Sequence, residues 1–148
     1  MSRSHELAWA AGFIDGEGFV TIGKRNMKRE LQTGENAAYV GHYLRVGVNH
    51  VDPKPIDELY RIFGGSVQYD PNVKGNRKPR YRWVVSTKKA QDVLIQLLPY
   101  LKNKTDVAAL GIEFQNRLNP KNSQKISQEE LDKRDWYQSE IRRINSED

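Results

Sequence analysis

Apolar residues first recur at helical spacing near the N-terminus, where Leu7, Ala10, Ala11 and Ile14 share one side of a predicted helix. Ser4 is placed to cap it, and Glu6 suits its positive end. Gly16 and Gly18 close it, and Phe19-Val20-Thr21-Ile22 predicts a strand. From Lys24 to Ala38 neither period is present, which predicts a long exposed hairpin connection of the kind that carries function. Alternation returns from Tyr39 to Val51, with Val40, Leu44, Val46 and Val48 on one face. Tyr39, Gly41, Tyr43, Arg45, Gly47 and Asn49 take the other, so one face of this strand is core.

Asp52 followed by Pro53 starts a second helix, Ile56, Leu59, Tyr60 and Phe63 form its buried stripe, and Gly64-Gly65 stops it. Residues 66–70 and 80–86 predict a second hairpin around a loop rich in Pro, Gly, Asn and Lys. Thr87 is expected to cap a helix whose Ala90, Val93, Leu94, Leu97 and Leu98 face inward until Pro99. A further helix carries Val107, Leu110, Phe114 and Leu118 and stops at Asn119-Pro120. Ser127 with Glu130 reads as a capping box for a last, weakly amphipathic helix ending near Ile144. The expected fold class is α+β: an αββαββα core whose antiparallel sheet is helix-covered on one face and open on the other, plus C-terminal helices. We expect one domain over 1–148, with a core at about 4–118 and a helical extension at about 121–148.

Composition sharpens this picture in three places. The formal charge is +5 and the sequence pI about 9.4, which favours a polyanionic partner. The distribution says more: between Ser66 and Lys104 there are nine basic residues and only two acids, interleaved with Tyr69, Tyr81 and Trp83, a pattern suited to a phosphate backbone. With no Cys, any metal must be held by oxygen or imidazole. Neither a signal-peptide core nor a membrane span is evident, so a soluble, intracellular protein without a membrane partner is expected. No phosphate loop, nucleophile triad or compact ligand motif points to a small-molecule enzyme.

The segment Ala10-Ala11-Gly12-Phe13-Ile14-Asp15-Gly16-Glu17-Gly18 carries the candidate chemistry. Small residues at Ala11 and Gly12 let another helix approach closely, and Gly16 and Gly18 allow a sharp exit that leaves a carboxylate at the helix end. Two such helices side by side bring two carboxylates together, an arrangement that makes sense with divalent cations between them and phosphate oxygens. As a bare pattern, Asp15 and Glu17 are equally consistent with ordinary polar residues at a glycine-rich helix end. The order of small-residue helix, Asp-Gly-Glu-Gly and strand in a basic chain favours the first reading.

These residues resemble the motif of the LAGLIDADG homing endonucleases, in the single-motif class whose short chains each supply half of a dimeric enzyme. By element order the resemblance covers about the first 118 residues. It implies that Glu17 is the catalytic metal ligand, joined by the Gly16 carbonyl, and that Asp15 is mainly structural. It further implies a homodimer meeting through Ala10, Ala11, Phe13 and Ile14. The sequence departs from the family at Ala10, where Leu is usual, and at Glu17, where Asp is commoner; the longer arm keeps the same ligand chemistry. Leu98-Pro99-Tyr100-Leu101-Lys102-Asn103-Lys104 is similar to the family's helix-Pro-aromatic-Leu segment, which makes Lys104 a catalytic candidate, against an alternative as a solvated loop Lys. The resemblance also implies an active-site polar residue late in the second strand, which makes His50 a catalytic candidate, or Asn49 with the register moved by one; His50 is also in phase with Val46 and Val48, as a buried structural His would be.

A saddle of strands reads a duplex through side chains on its uncovered face. Alternation places Thr21, Arg25, Tyr43, Arg45, Asn49, Ser66, Gln68, Arg80, Arg82 and Val84 there, with Arg45 and Arg82 the candidates for guanine edges. Lys24, Lys28, Arg29, Lys74, Arg77 and Lys78 are expected in loops as phosphate contacts. The function implied is hydrolysis of both strands of a long, nearly palindromic DNA site with Mg²⁺, or another divalent cation such as Mn²⁺. The alternatives are a non-cleaving DNA-binding regulator and a maturase of the same fold acting on intron RNA. Such a protein would be the product of an intron in an organelle, a bacterium or a phage.

Overall fold

The structure, a computed structural model, describes residues 2–30, 36–71, 75, 78–118 and 126–147, with the backbone alone for 27–30 and 36–40. Helix α1 (Arg3–Glu17) leads into strands β1 (Gly18–Glu30) and β2 (Asn36–His50), helix α2 (Pro53–Phe63), strands β3 (Ser66–Asp70) and β4 (Arg80–Ser86), and helices α3 (Thr87–Leu97), α4 (Thr105–Leu118) and α5 (Gln128–Ser146). The strands form one antiparallel sheet in the order β1-β2-β4-β3. The α+β class and the helix-hairpin-helix-hairpin order are as expected from the sequence.

Several local expectations are corrected. Ser2, not Ser4, caps α1, accepting the His5 N–H at 3.3 Å. The stretch from Lys24 to Ala38 is largely strand: β1 and β2 stay paired from Gly18↔Val48 out to Glu30↔Asn36. A strand held by its backbone ladder needs no apolar period of its own. Thr87 does not cap α3; Ser86 holds the cap position without a side-chain bond, and Thr87 turns the chain with a φ of 55°. Asp52 caps α2 and Gly64 and Gly65 end it at positive φ (73° and 100°), a conformation glycine adopts at little cost; Tyr60, expected in its buried stripe, is exposed, and Ile62 is buried instead.

The core lies between the sheet and the helices. Val20, Ile22, Leu44, Val46, Val48, Trp83 and Val85 project from one sheet face into a cluster with Ile14, Leu59, Leu94 and Phe114. Trp83 is fully buried with its indole N–H on the Gly64 carbonyl, and Tyr81 sits on the same side, packed against Tyr69. The aromatic residues of the basic segment therefore serve the helical face rather than the open one. Helix α5 completes the fold at the edge strand. Tyr137 and Ile141 join the core, Gln138 Nε2 donates to the Ile22 carbonyl at 2.8 Å, and Asn145 Nδ2 donates to the Val20 carbonyl at 3.2 Å. These amides satisfy β1 backbone groups that an uncovered edge would offer to another strand.

Candidate nucleic-acid interface and carboxylate site

Cross-strand partners in an antiparallel sheet share a face, so the register defines the open surface. One row runs Thr21, Arg45, Ser86; the next Phe19, Gly47, Val84, Ser66; the next Asn49, Arg82, Gln68. Tyr43 and Arg25 continue it along β2 and β1, and Arg80 and Asp70 along β4 and β3. The alternation proposed from sequence thus brings Thr21, Arg25, Tyr43, Arg45, Asn49, Gln68, Arg80 and Arg82 onto one surface. Lys78 is exposed at the approach to β4. Lys74 and Arg77 lie outside the described residues, as do the side chains of Lys28 and Arg29, whose backbone belongs to β1 rather than to a loop.

Lys24 is a correction. It pairs with His42 across the ladder on the helical side, and its Nζ lies 2.6 Å from Asp135 Oδ1 on α5. The same oxygen lies 2.9 Å from Nε2 of the buried His42. Alternation explains the displacement: an even-numbered β1 residue shares the face of Val20 and Ile22.

Two glycines shape the open surface. A Cβ on Gly47 would stand 2.7 Å from the Phe19 ring, and one on Gly23 2.5 Å from the Tyr43 ring. Each aromatic ring thus lies across the sheet in a notch that only glycine leaves free. Guanidinium groups stack on both: Arg25 and Arg45 at 5.0 and 5.8 Å from the Tyr43 centroid, Arg45 and Arg82 at 5.5 and 5.3 Å from the Phe19 centroid. The result is an alternating series, Arg25-Tyr43-Arg45-Phe19-Arg82. Burial pushes the Arg82 guanidinium below its ordinary pKa, and the like charge of Arg45 adds to the effect. Among the described residues, Arg45 Nε, Arg82 Nε and Thr21 Oγ1 are buried without a hydrogen-bond partner. Phe19 was not among the sequence candidates; its signal was an aromatic residue in phase with Thr21 opposite a glycine.

At the end of α1 the motif separates into two roles. The Asp15 carboxylate accepts the N–H groups of Lys102 (2.7 Å), Asn103 (3.2 Å) and Lys104 (2.9 Å), fastening the segment ahead of α4. Lys104 Nζ returns a bond to the Asp15 carbonyl at 3.0 Å, which holds the ammonium beside the motif. Glu17 is exposed and makes no hydrogen bond or ion pair among the described residues. Gly16 is likewise exposed, and its carbonyl lies in the last turn of α1, where helical acceptors have no helical donor. His50 Nδ1 accepts the Asp52 N–H at 3.0 Å and its ring tilts against the α1 residue Phe13 at 5.6 Å. Asn49 is exposed on the open face, in the row of Arg82 and Gln68.

The expected interface residues need revision. Ala10, Ala11 and Ile14 are 0% exposed in the single chain because they face its own sheet and helices. The outward side of α1 carries Ala8, Trp9, Gly12 and Gly16 instead, a Cβ at Gly12 or Gly16 would meet nothing within 4 Å, and the half-buried Phe13 stacks on Trp9 at 5.5 Å. A helix turning 100° per residue cannot present both sets to one partner.

The chain thus carries a four-stranded sheet with one arginine-lined face free of helices and a glycine-flanked carboxylate at the end of α1. The sequence profile of the LAGLIDADG endonucleases matches residues 10–109, and the chain belongs to that family. Solved structures share the fold. The homing endonuclease I-CvuI in complex with the I-CreI target, in the presence of 2 mM Mg and with the DNA not cleaved, superposes with a TM-score of 0.70 at 20% identity, over 96% of this chain and 83% of that one. The archaeal intron-encoded homing endonuclease I-Vdi141I complexed with DNA gives 0.72 at 16% identity, over 97% and 86%. I-LtrWI bound to target DNA gives 0.66 at 16% identity over 89% of this chain and 42% of that longer one. No curated protein sequence matches the chain. Among the described residues no helix is long and apolar enough to cross a membrane.

Proposed function

We propose that this chain is one half of a homodimeric, site-specific double-strand DNA endonuclease, with Glu17 and Gly16 as its oxygen ligands to a divalent cation. The observation that carries the reading is the exposed Glu17 carboxylate, without a partner among the described residues, two positions past the Asp15 carbonyl that tethers Lys104 and immediately ahead of the strand that leads into the arginine-lined face. A free carboxylate at the edge of a polyanion-binding surface opposes binding until a cation neutralises it.

The donor set fits half a hard-cation site. One carboxylate and one carbonyl per chain are two oxygens of the six or so that Mg²⁺ takes, and no group of three or more His, Asp or Glu converges among the described residues. A cation held there would need its other ligands from outside this chain, as the two oxygens are too few for it. A cation bound there supplies Lewis acidity at the scissile phosphate. Glu17 and Gly16 would hold and orient it; Lys104 would place a positive charge where negative charge develops on phosphate oxygens; Asp15 fixes the end of α1 to the segment before α4. The second copy docks on the Ala8, Trp9, Gly12 and Gly16 side of α1, which brings two carboxylates together about a two-fold axis and makes the target nearly palindromic.

The nucleic-acid complexes of I-CvuI and I-Vdi141I support duplex DNA as the partner, and the Mg and Ca conditions of the I-CvuI complexes support an oxygen-loving divalent ion. Incubation with Mg²⁺ and a randomised duplex library, followed by sequencing of cut ends, tests the proposal. Recovery of a two-fold-related motif cut on both strands is expected; intact DNA with a selectively bound motif would instead establish a non-cleaving binder.

A further inference from the structure

Arg45 and Arg82 lie in rows on either side of the Phe19-Gly47 row, yet both guanidiniums lean onto the one Phe19 ring. The Gly47 notch admits the ring between them, and each guanidinium has a buried Nε with no partner among the described residues. An arginine on an open surface ordinarily samples many rotamers, at an ordering cost on binding of about 0.5–1.5 kcal/mol per side chain. Stacking removes part of that freedom beforehand and limits each guanidinium to a narrow set of directions. Two positive groups are also held close enough for Arg45 to lower the pKa of Arg82, an arrangement that a flexible pair would relax.

We infer that Phe19 is a positioning residue for specificity: by holding Arg45 and Arg82 at a set spacing it decides which base steps of the duplex their guanidiniums discriminate. The inference rests on the DNA-binding reading above. The partners that suit these groups are acceptor pairs on base edges in the major groove, such as guanine O6 and N7, which a preoriented guanidinium meets with two bonds. A mobile arginine is sufficient for phosphate; a fixed one is needed for a base.

Two measurements on the full chain test it. In DNA-free protein, NMR of the arginine Nε–Hε groups is expected to show Arg45 and Arg82 shielded from solvent in the parent. In Phe19→Leu and Phe19→Met their exchange should quicken by about tenfold, with recovery in Phe19→Tyr, which keeps the ring. In binding to single-base variants of the selected duplex, Phe19→Leu should cut discrimination roughly three- to tenfold at the pairs sensitive to Arg45→Ala and Arg82→Ala, with affinity for scrambled duplex unchanged. Unaltered Nε–Hε exchange, or equal weakening on target and scrambled DNA, overturns the positioning role. A parent protein with no duplex preference overturns the DNA-binding reading, while the DNA-free measurement still decides whether Phe19 orders the two arginines.

Discussion

Asp15 and Lys104 hold each other twice: the Asp15 carboxylate accepts the Lys104 backbone N–H at 2.9 Å, and the Lys104 ammonium donates to the Asp15 carbonyl at 3.0 Å. The pair is 89 residues apart in sequence, so the position of Lys104 beside the motif depends on this closure. Asp15→Asn keeps the shape but weakens bonds to three N–H groups, and the expected loss is about 1–2 kcal/mol. For a chain of this size that is a fall in Tm of about 2–4 °C per kcal/mol. Cleavage at saturating DNA should fall further than stability accounts for. Urea unfolding beside single-turnover cleavage checks this; a stability loss with unchanged cleavage would leave Asp15 a cap and nothing more.

Glu17→Gln removes a charge that no neighbour among the described residues uses, so folding should be unaffected. Cleavage in Mg²⁺ should drop by about a hundredfold or more, the scale of losing several kcal/mol of charge stabilisation at phosphate. Affinity for the target in metal-free buffer should hold or rise, since two negative charges leave the DNA surface. Filter binding and a cleavage time course separate the two effects; near-parent cutting by the variant would refute the ligand assignment.

Gly12→Gln adds a side chain where a Cβ meets nothing within the chain, and it replaces a residue of low helix propensity. The far-ultraviolet spectrum should be unchanged, while light scattering should show loss of the dimer and the assay loss of double-strand cutting. A variant that stays dimeric would move the interface off this side of α1.

Asp135 should make the attachment of α5 sensitive to acid. Lys24 and then His42 hold its carboxyl below the ordinary value of 3.8. A group whose folded pKa is depressed stabilises above the unfolded pKa and loses that contribution as pH falls through the folded one. The Tm difference between parent and Asp135→Asn should therefore be constant from neutral pH down to that value and shrink below it. Thermal scans of both proteins across pH 7 to 2.5, roughly the range spanning ordinary carboxylate titration, provide the check.

What the sequence determined by itself is what short-range physics encodes. Helical spacing in Ile56, Leu59 and Phe63, alternation in Leu44, Val46 and Val48, and the Asp52-Pro53 and Gly64-Gly65 signals placed elements with little error, because each depends on neighbours within a turn or a pleat. Alternation alone also assigns Arg45, Arg82 and Thr21 to the face opposite the core, where the strand pairing puts them. Only the tertiary structure decided the rest. Lys24 went to Asp135 because α5 packs along β1, a contact between residues 111 positions apart that no local pattern records. Ala10, Ala11 and Ile14 turned inward because the sheet needed covering, which left the outer side of α1 to Gly12 and Gly16. The Phe19 stack required β1, β2 and β4 to lie in one register, since a one-residue slip would carry the ring to the opposite face and leave both arginines without it.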